Sequence, residues 1–263
     1  MSFDERCAEY LGMIEPALAG YFGRKEGLPF DGLLEAMDYS LMAGGKRLRP
    51  MLVLEFCRVC GGDVAAALPV ACAVEMLHTY SLIHDDLPCM DDDDLRRGKP
   101  TNHKVYGECT AVLAGDALQA EAFGTILRSE LPAERRARCA EHLANAAGVD
   151  GICGGQFMDM LENPPVDEAW ITDLQGRKTG SLLSAACAMG VAAAGAGEEK
   201  TELALRYGAA LGAAFQIRDD MLDVLSTEAE LGKPIGSDAE EGKLTFMSLY
   251  GEEKCAQMVR RIT

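Results

Sequence analysis

The sequence predicts an all-α helical bundle. Apolar residues recur at helical intervals along most of the 263 residues, and no stretch shows the strict alternation typical of a half-buried strand. Alanine, leucine, methionine and glutamate are abundant, whereas aromatic residues make up only 6%, a composition that favours helices. Because the chain shows neither an internal repeat nor a linker-like segment, we expect a single domain spanning residues 1–263.

The predicted elements follow one another in chain order. Asp31 is the expected N-cap of the second helix, and Gly and Pro residues separate most of the others. The polar, glycine-rich segment 226–244 is predicted to be a mobile lid, and residues 246–263 to form at most a short helix. Helices are expected over residues 3–21, 31–41, 51–60, 64–84, 105–127, 133–147, 167–174, 179–197 and 202–224.

Charge and apolar patterning restrict the partners and the location of the chain. The formal net charge of −17 argues against a nucleic-acid ligand, because a phosphate backbone requires a basic face. The uncharged segment 179–197 is rich in Ala, Gly and Ser, so we expect a buried helix rather than a membrane span. The chain begins without the pattern of a secretory signal peptide, and most of its ten cysteines fall in apolar helical patterns. We therefore expect a reducing, cytoplasmic location.

The stretch His78–Arg97 reads HTYSLIHDDLPCMDDDDLRR and carries six aspartates followed by two arginines. Carboxylates this close repel one another unless solvent or cations neutralise them, and hard oxygen ligands suit Mg²⁺. Arginine forks suit phosphate oxygens, so a site for magnesium and a diphosphate is the first hypothesis. The alternative is a solvated acidic turn with a basic neighbour.

Two details of this stretch concern its geometry. Asp85 and Asp91 are six residues apart, but Pro88 disturbs the helix and lets Asp91 return toward the same cation. His78, Ser81 and Asp85 fall on one side of the predicted helix. His78 is therefore either a ligand or an ordinary core histidine.

A basic segment, GGKRLRP, precedes the third helix at residues 44–50. Its glycines allow the backbone to approach a ligand closely, and Lys46, Arg47 and Arg49 crowd cations in front of a helix opened by Pro50. Such a helix start binds phosphate well. An ordinary basic loop between helices is the alternative.

A second acidic cluster lies on the helix predicted at residues 202–224. Gln216, Asp219 and Asp223 share one face of it, with Asp220 alongside. Two such clusters on apolar helices are not easily explained as solvated faces. Lys178 and Thr179 at the start of a buried helix also favour a ligand, because an unpaired buried charge is costly. In the glycine-rich segment 151–160, Gln156 and Asp159 fit either a site or helix packing.

Several motifs resemble, in order and spacing, those of the short-chain trans-polyprenyl diphosphate synthases, the farnesyl and geranylgeranyl diphosphate synthases. They are GGKRLRP, DDLPCMD, DDLRRG, Lys178–Thr179, Phe215–Gln216 and DDMLD. The resemblance implies an isoprenoid-synthase-type helical bundle around a deep apolar cavity, usually as a homodimer. Members of the family usually continue beyond the lid, so this chain either lacks further C-terminal helices or is a shorter variant.

The resemblance also implies the site residues. Two aspartate motifs facing each other across the cavity mouth would hold three Mg²⁺, with Mn²⁺ as a substitute: Asp85, Asp86 and Asp91, and Asp219, Asp220 and Asp223. Residues matching the allylic diphosphate site are Arg96, Lys178, Lys233 and Lys243, with Thr179 and Gln216 facing the allylic cation. Residues matching the isopentenyl diphosphate site are Lys46, Arg49, His78 and Arg97.

The implied reaction is a magnesium-dependent 1′-4 condensation of isopentenyl diphosphate with dimethylallyl and geranyl diphosphate. Tyr80 and Ser81 precede Asp85 by five and four residues, where they would form the cavity floor. An aromatic residue at Tyr80 accompanies C15 products in the family, so farnesyl diphosphate is the expected product. The alternatives are a C20 geranylgeranyl diphosphate synthase, a terpene cyclase, which would leave the basic residues without a second substrate, and a non-catalytic partner subunit.

Overall fold

The computed structural model describes residues 2–22, 27–225 and 244–262, and its regular structure there is helical apart from one short hairpin. The all-α prediction is confirmed. The chain divides into two compact units. The first comprises Met1–Leu143 with Ala186–Thr201, and the second Ala144–Ala185 with Glu202–Thr263.

The first unit is built around one long helix. Asp63 caps its N-terminus by accepting hydrogen bonds from Ala65 N at 2.9 Å and Ala66 N at 3.4 Å. This helix, α4, packs against α1, α2, α3 and α6, and side chains all round it are buried. The elements of the unit are α1 (Phe3–Tyr21), α2 (Asp31–Leu41), α3 (Leu48–Val59), α4 (Val64–Asp85), β1 (Leu95–Arg96), β2 (Lys99–Pro100), α5 (Asn102–Tyr106) and α6 (Glu108–Arg128).

Helix α4 is also long and apolar enough to cross a membrane by length and composition alone, the one such helix in the described part of the chain. Its most apolar window is 67% buried by other parts of the protein. Core helices of globular proteins have the same property, so α4 gives only weak evidence of a membrane span.

The second unit packs shorter elements together. They are α8 (Ile152–Asp159), α9 (Glu168–Gln175), a π-helical turn (Gly176–Gly180) and α12 (Phe246–Ile262). Both α8 and α9 pack against the π-helical turn, and α12 packs against α9. One apolar cluster consists of Ile171, Ile217, Met221, Phe246 and Cys255. Three further helices contribute residues to both units: α7 (Ala133–Ala147), α10 (Ser181–Ala194) and α11 (Glu198–Leu225).

Three local predictions were wrong. The hairpin was not predicted, because strands of two residues are too short to show alternation. The helix expected at residues 105–127 is divided into α5 and α6 by Gly107, whose φ of 85° a helix cannot accommodate. Asp31 is the first helical residue rather than the N-cap; its carboxylate accepts from the backbone N–H of Gly27 and Leu28, at 2.7 and 3.0 Å.

The C-terminal segment is helical over more residues than predicted. Helix α12 spans 17 residues, but Gly251, with a φ of 70° and a ψ of 173°, is not helical and divides it into two shorter helical stretches. Packing of its apolar face against α9 stabilises a helix that the sequence pattern alone did not favour.

Candidate active site

The acidic motif of the first unit begins where α4 ends. Asp85 is the last helical residue, and the turn that follows contains Pro88. The Asp91 N–H donates to the Asp85 carbonyl at 2.9 Å, and the Met90 N–H donates to the Leu87 carbonyl at 2.8 Å. These bonds return Asp91 to the end of the helix.

Asp86 is engaged by Arg96. Arg96 Nε donates to Asp86 Oδ1 at 2.8 Å, Arg96 Nη2 donates to the same oxygen, and Nη2 also donates to Asp93 Oδ2 at 3.0 Å. Burial raises the pKa of Asp86 to about 6, against the opposing effect of the Arg96 guanidinium. Asp86, a predicted metal ligand, and Arg96, a predicted diphosphate ligand, are therefore paired with each other in this structure.

A neutral histidine lies beside an arginine on the basic side of the motif. Arg49 Nη1 is 3.2 Å from His78 Nε2, and because a guanidinium only donates, Nε2 must accept. Burial and the charges of Arg49 and Arg97 lower the pKa of His78 well below its usual value. His78 is thus held uncharged, with its ring proton on Nδ1.

Arg97 lies against the GGKRLRP segment. Its Nη1 donates to the Gly44 carbonyl, and a Cβ at Gly45 would overlap the guanidinium. Gly45 also has a φ of 131°, which a side chain would not tolerate. The segment therefore meets Arg97 through its glycines, and it carries Lys46, which is exposed, alongside.

Arg47 corrects the sequence interpretation of that segment. The sequence grouped it with Lys46 and Arg49 as a phosphate-binding cation, but its side chain is fully buried. It donates to Glu15 at 2.8 Å, to Glu75 at 2.9 Å and to the Leu41 carbonyl at 2.9 Å. A buried guanidinium persists only with such partners, so Arg47 holds the segment in place.

The two predicted floor residues differ in their contacts. Tyr80 is only 5% exposed, and its ring packs edge-on against the ring of His84. Ser81 Oγ donates to the His78 carbonyl at 2.8 Å, so its hydroxyl is satisfied by its own helix.

In the second unit the predicted cation Lys178 lies on the π-helical turn, a local distortion that is frequent at functional sites. Lys178 Nζ donates to Asp159 Oδ2 at 2.6 Å. Gly155 makes this possible, because a Cβ there would overlap the backbone of Lys178. The sequence left the role of Asp159 open; the glycines just before it were the available signal of close packing.

Thr179 and Gln216 are joined in one hydrogen-bonded chain. Thr179 Oγ1 donates to Gln216 Oε1 at 3.1 Å, and Gln216 Nε2 donates to Asp220 Oδ1 at 2.9 Å. Asp220 Oδ2 accepts from the Phe246 N–H at 2.8 Å, at the start of α12. The Asp220 carboxylate therefore fixes the orientation of the Gln216 amide. Asp219 is half-buried and Asp223 is buried.

The predicted magnesium ligands are compatible with a site that the substrate completes. Within the residues that the structure describes, no group of three or more His, Cys, Asp or Glu side chains is gathered to hold a metal ion. Mg²⁺ needs only one or two carboxylates when water and substrate phosphates supply its other ligands. The oxygen-only pair Asp85 and Asp91 fits that requirement. Lys233, Lys243 and the predicted lid, except Leu244, lie outside the described residues.

Comparison with known proteins places these motifs in a family. The Polyprenyl synthetase family profile matches residues 31–262. The chain is 50% identical over 227 residues to a farnesyl diphosphate synthase of Bacillus subtilis (strain 168), covering 85% of this chain and 77% of that protein. It is 49% identical over 237 residues to the chloroplastic geranylgeranyl pyrophosphate synthase 3 of Arabidopsis thaliana, covering 87% of this chain and 65% of that one.

A solved structure agrees over nearly the whole chain. The geranyltransferase of Helicobacter pylori, in a crystal structure with magnesium and isoprenyl diphosphate, superposes with a TM-score of 0.85 at 32% identity, covering 98% of this chain and 88% of that one. The family match spans both units and relatives are about half identical. The chain therefore belongs to the polyprenyl synthetase family, as its motifs indicated.

Proposed function

We propose that this chain is a prenyltransferase that condenses isopentenyl diphosphate head to tail (1′-4) with dimethylallyl and geranyl diphosphate, giving mainly farnesyl diphosphate. One observation carries the proposal: the turn that joins Asp85 to Asp91 belongs to the same unit as the paired Arg49 and His78. An anionic substrate needs a cation such as Arg49, because carboxylates alone would repel it. Relatives named farnesyl diphosphate synthase support the same activity.

The isopentenyl diphosphate is assigned to the basic cluster of the first unit. Burial, and to a smaller extent the charge of Arg97, lowers the pKa of Arg49 to about 10. A diphosphate relieves that repulsion, which favours its binding. His78 offers its Nδ1 proton, and Lys46 adds an exposed charge.

The allylic diphosphate is assigned to Arg96 of the first unit and Lys178 of the second, with Lys233 and Lys243 as further ligands. In the second unit, the Thr179 hydroxyl and the Gln216 amide are aligned by the Asp220 carboxylate. Their oxygens are negative dipole ends, suited to stabilising the allylic cation that remains when the diphosphate leaves.

The family is magnesium-dependent. When bound, Mg²⁺ neutralises the charge that develops on the departing diphosphate. We assign three ions, replaceable by Mn²⁺, to Asp85, Asp86, Asp91, Asp219, Asp220 and Asp223. Among these, we assign Asp85, Asp91 and Asp219 as direct ligands. Asp86 and Asp220 also accept hydrogen bonds from Arg96 and Gln216.

The reaction forms one carbon–carbon bond and breaks one carbon–oxygen and one carbon–hydrogen bond. The diphosphate leaves the allylic substrate, and the double bond of isopentenyl diphosphate attacks the allylic cation. The new cation then loses a proton to the released diphosphate, and the electrons of that carbon–hydrogen bond form the double bond of the product. The lid segment is assigned the exclusion of water, which would otherwise capture the cation.

The aromatic ring of Tyr80 supports a C15 product, because a bulky, buried side chain on α4 limits the length of the growing chain. A C20 product is the second candidate. Relatives named geranylgeranyl pyrophosphate synthase, at 48% to 49% identity, favour it.

The deciding experiment is a product assay with isopentenyl diphosphate and Mg²⁺, offering dimethylallyl, geranyl and farnesyl diphosphate separately. Elongation of the first two that stops at C15 is the expected result. Elongation of farnesyl diphosphate to C20 contradicts the assigned product but keeps the reaction. No elongation of any of the three contradicts the proposed activity.

We further propose that the two units act as one catalytic domain, in a cytoplasmic homodimer. The family match across residues 31–262, which spans both units, supports the single domain. Sedimentation equilibrium tests the assembly: a dimer has twice the chain mass of 28.2 kDa.

A further inference from the structure

His84 and Tyr80 lie one turn apart on α4, and their rings pack against each other. The ring centroids are 5.6 Å apart and the planes meet at 84°, an edge-to-face arrangement. His84 therefore covers one side of the ring that the proposed function makes the floor for the growing prenyl chain.

Helix α6 fixes the other side of the His84 ring. His84 Nε2 is 3.0 Å from the Val112 carbonyl, and since a carbonyl only accepts, Nε2 carries a proton and donates it. The Asp116 carboxylate lies 3.9 Å from the same nitrogen. Gly115 has no side chain, and this leaves the space that the imidazole occupies. A Cβ at this position would overlap the ring.

We infer that His84 is a positioning residue for product length: held by α6 at Val112 and Gly115, it keeps the Tyr80 ring where it stops chain growth. The inference rests on the proposed function, because it takes Tyr80 as the floor. A tyrosine ring that loses its packing partner on one side reaches other rotamers. Removal of His84 therefore lets the floor ring swing aside and admits a longer product.

The test measures the ratio of the longer to the shorter prenyl product made by the purified full chain from isopentenyl and geranyl diphosphate. The variants are Tyr80→Ala, His84→Ala and Gly115→Ala, and His142→Ala on α7 is the matched control. We expect Tyr80→Ala and His84→Ala to raise the ratio several-fold and His142→Ala to leave it unchanged. Gly115→Ala places a methyl group where the imidazole lies, so we expect it to raise the ratio as well. Combined with His84→Ala, it should cause no further increase in the ratio.

When variants are compared at equal conversion of the substrate, the product ratio does not depend on a general loss of stability or rate. If His84→Ala folds poorly, Gly115→Ala decides, because it displaces the imidazole while keeping the histidine and the acidic motif unaltered in the sequence. A higher ratio for Tyr80→Ala, with the wild-type ratio for both His84→Ala and Gly115→Ala, overturns the inference and leaves the proposed function standing. An unchanged ratio for Tyr80→Ala overturns both the floor assignment and the inference. No product from the unaltered chain overturns the proposed function itself.

Discussion

Arg47 and Glu75 form a buried ion pair, with Arg47 Nη1 donating to Glu75 Oε1 at 2.9 Å and side chains that are 0% and 2% exposed. Glu15 of α1 accepts from the same guanidinium at 2.8 Å. Arg47 has a φ of 49°, a left-handed conformation that few non-glycine residues adopt. The pair thus holds the GGKRLRP segment against α1 and α4 in a conformation that local preference opposes.

Loss of Arg47 is expected to destabilise the fold. Arg47→Ala leaves the Glu75 carboxylate buried without its partner, so we expect the free energy of unfolding to fall by about 3–5 kcal/mol. Lys46→Ala, in the same segment but exposed, is the matched control and should change it by less than about 0.5 kcal/mol. Urea denaturation measures both. Equal effects of the two substitutions would show that the ion pair contributes nothing.

Asp91 is expected to be essential and its neighbour Asp92 dispensable. Asp91→Asn removes a negative charge from the turn that meets Asp85, so we expect kcat/KM to fall by about 10²-fold or more and the Mg²⁺ requirement to rise. Asp92→Asn is the control: Asp92 is exposed at a φ of 52°, which asparagine tolerates. Rates measured across a Mg²⁺ titration, with EDTA as the zero point, distinguish them. A similar loss in both variants would mean that only the total charge of the turn matters.

Asp159 is expected to position Lys178. Asp159→Asn weakens the 2.6 Å bond to Lys178 Nζ, so the ammonium shifts and kcat/KM for geranyl diphosphate should fall by about 10- to 100-fold. The KM for isopentenyl diphosphate should stay the same. Asp173→Asn, which alters the exposed pair with Arg177 in the same unit, provides the control. If both KM values rise together, Asp159 supports the fold rather than the lysine.

The stability of the chain is expected to fall below about pH 6.5, in part through His78. Its folded pKa is lowered by burial and by the neighbouring guanidinium groups, so between the two pKa values the unfolded state binds a proton that the native state does not. His78 thus contributes stability above the unfolded pKa that is lost as pH falls toward the folded one.

Substitution isolates this contribution. His78→Gln should reduce the pH slope of the free energy of unfolding by up to about 1.4 kcal/mol per pH unit in that window. The pKa of His142 is lowered in the same direction, by burial and by Arg138, so His142→Gln provides a second slope for comparison. Urea denaturation between about pH 5 and 7 measures the slopes. An unchanged slope in His78→Gln would contradict the neutral state of this histidine.

Several features could be predicted from the sequence because they depend on local order. The helical periodicity of residues 64–84 predicted α4, and Pro88 predicted the return of the chain at Asp91. The hairpin at residues 95–100 escaped prediction because two-residue strands carry no pattern. The length of α12 also escaped it, because packing on α9 rather than periodicity stabilises that helix.

The sequence by itself determined the family, the all-α class and the residue types available for magnesium and diphosphate. It could not separate Arg47 from Arg49, two arginines of one basic segment, of which one is buried on Glu75 and the other meets His78. Nor could it pair Lys178 with Asp159, or seat His84 in the slot left by Gly115. The tertiary structure decided these relationships because they join residues far apart in the chain. For Arg47 and Glu75, burial made the pairing obligatory, since a charge removed from water requires a partner.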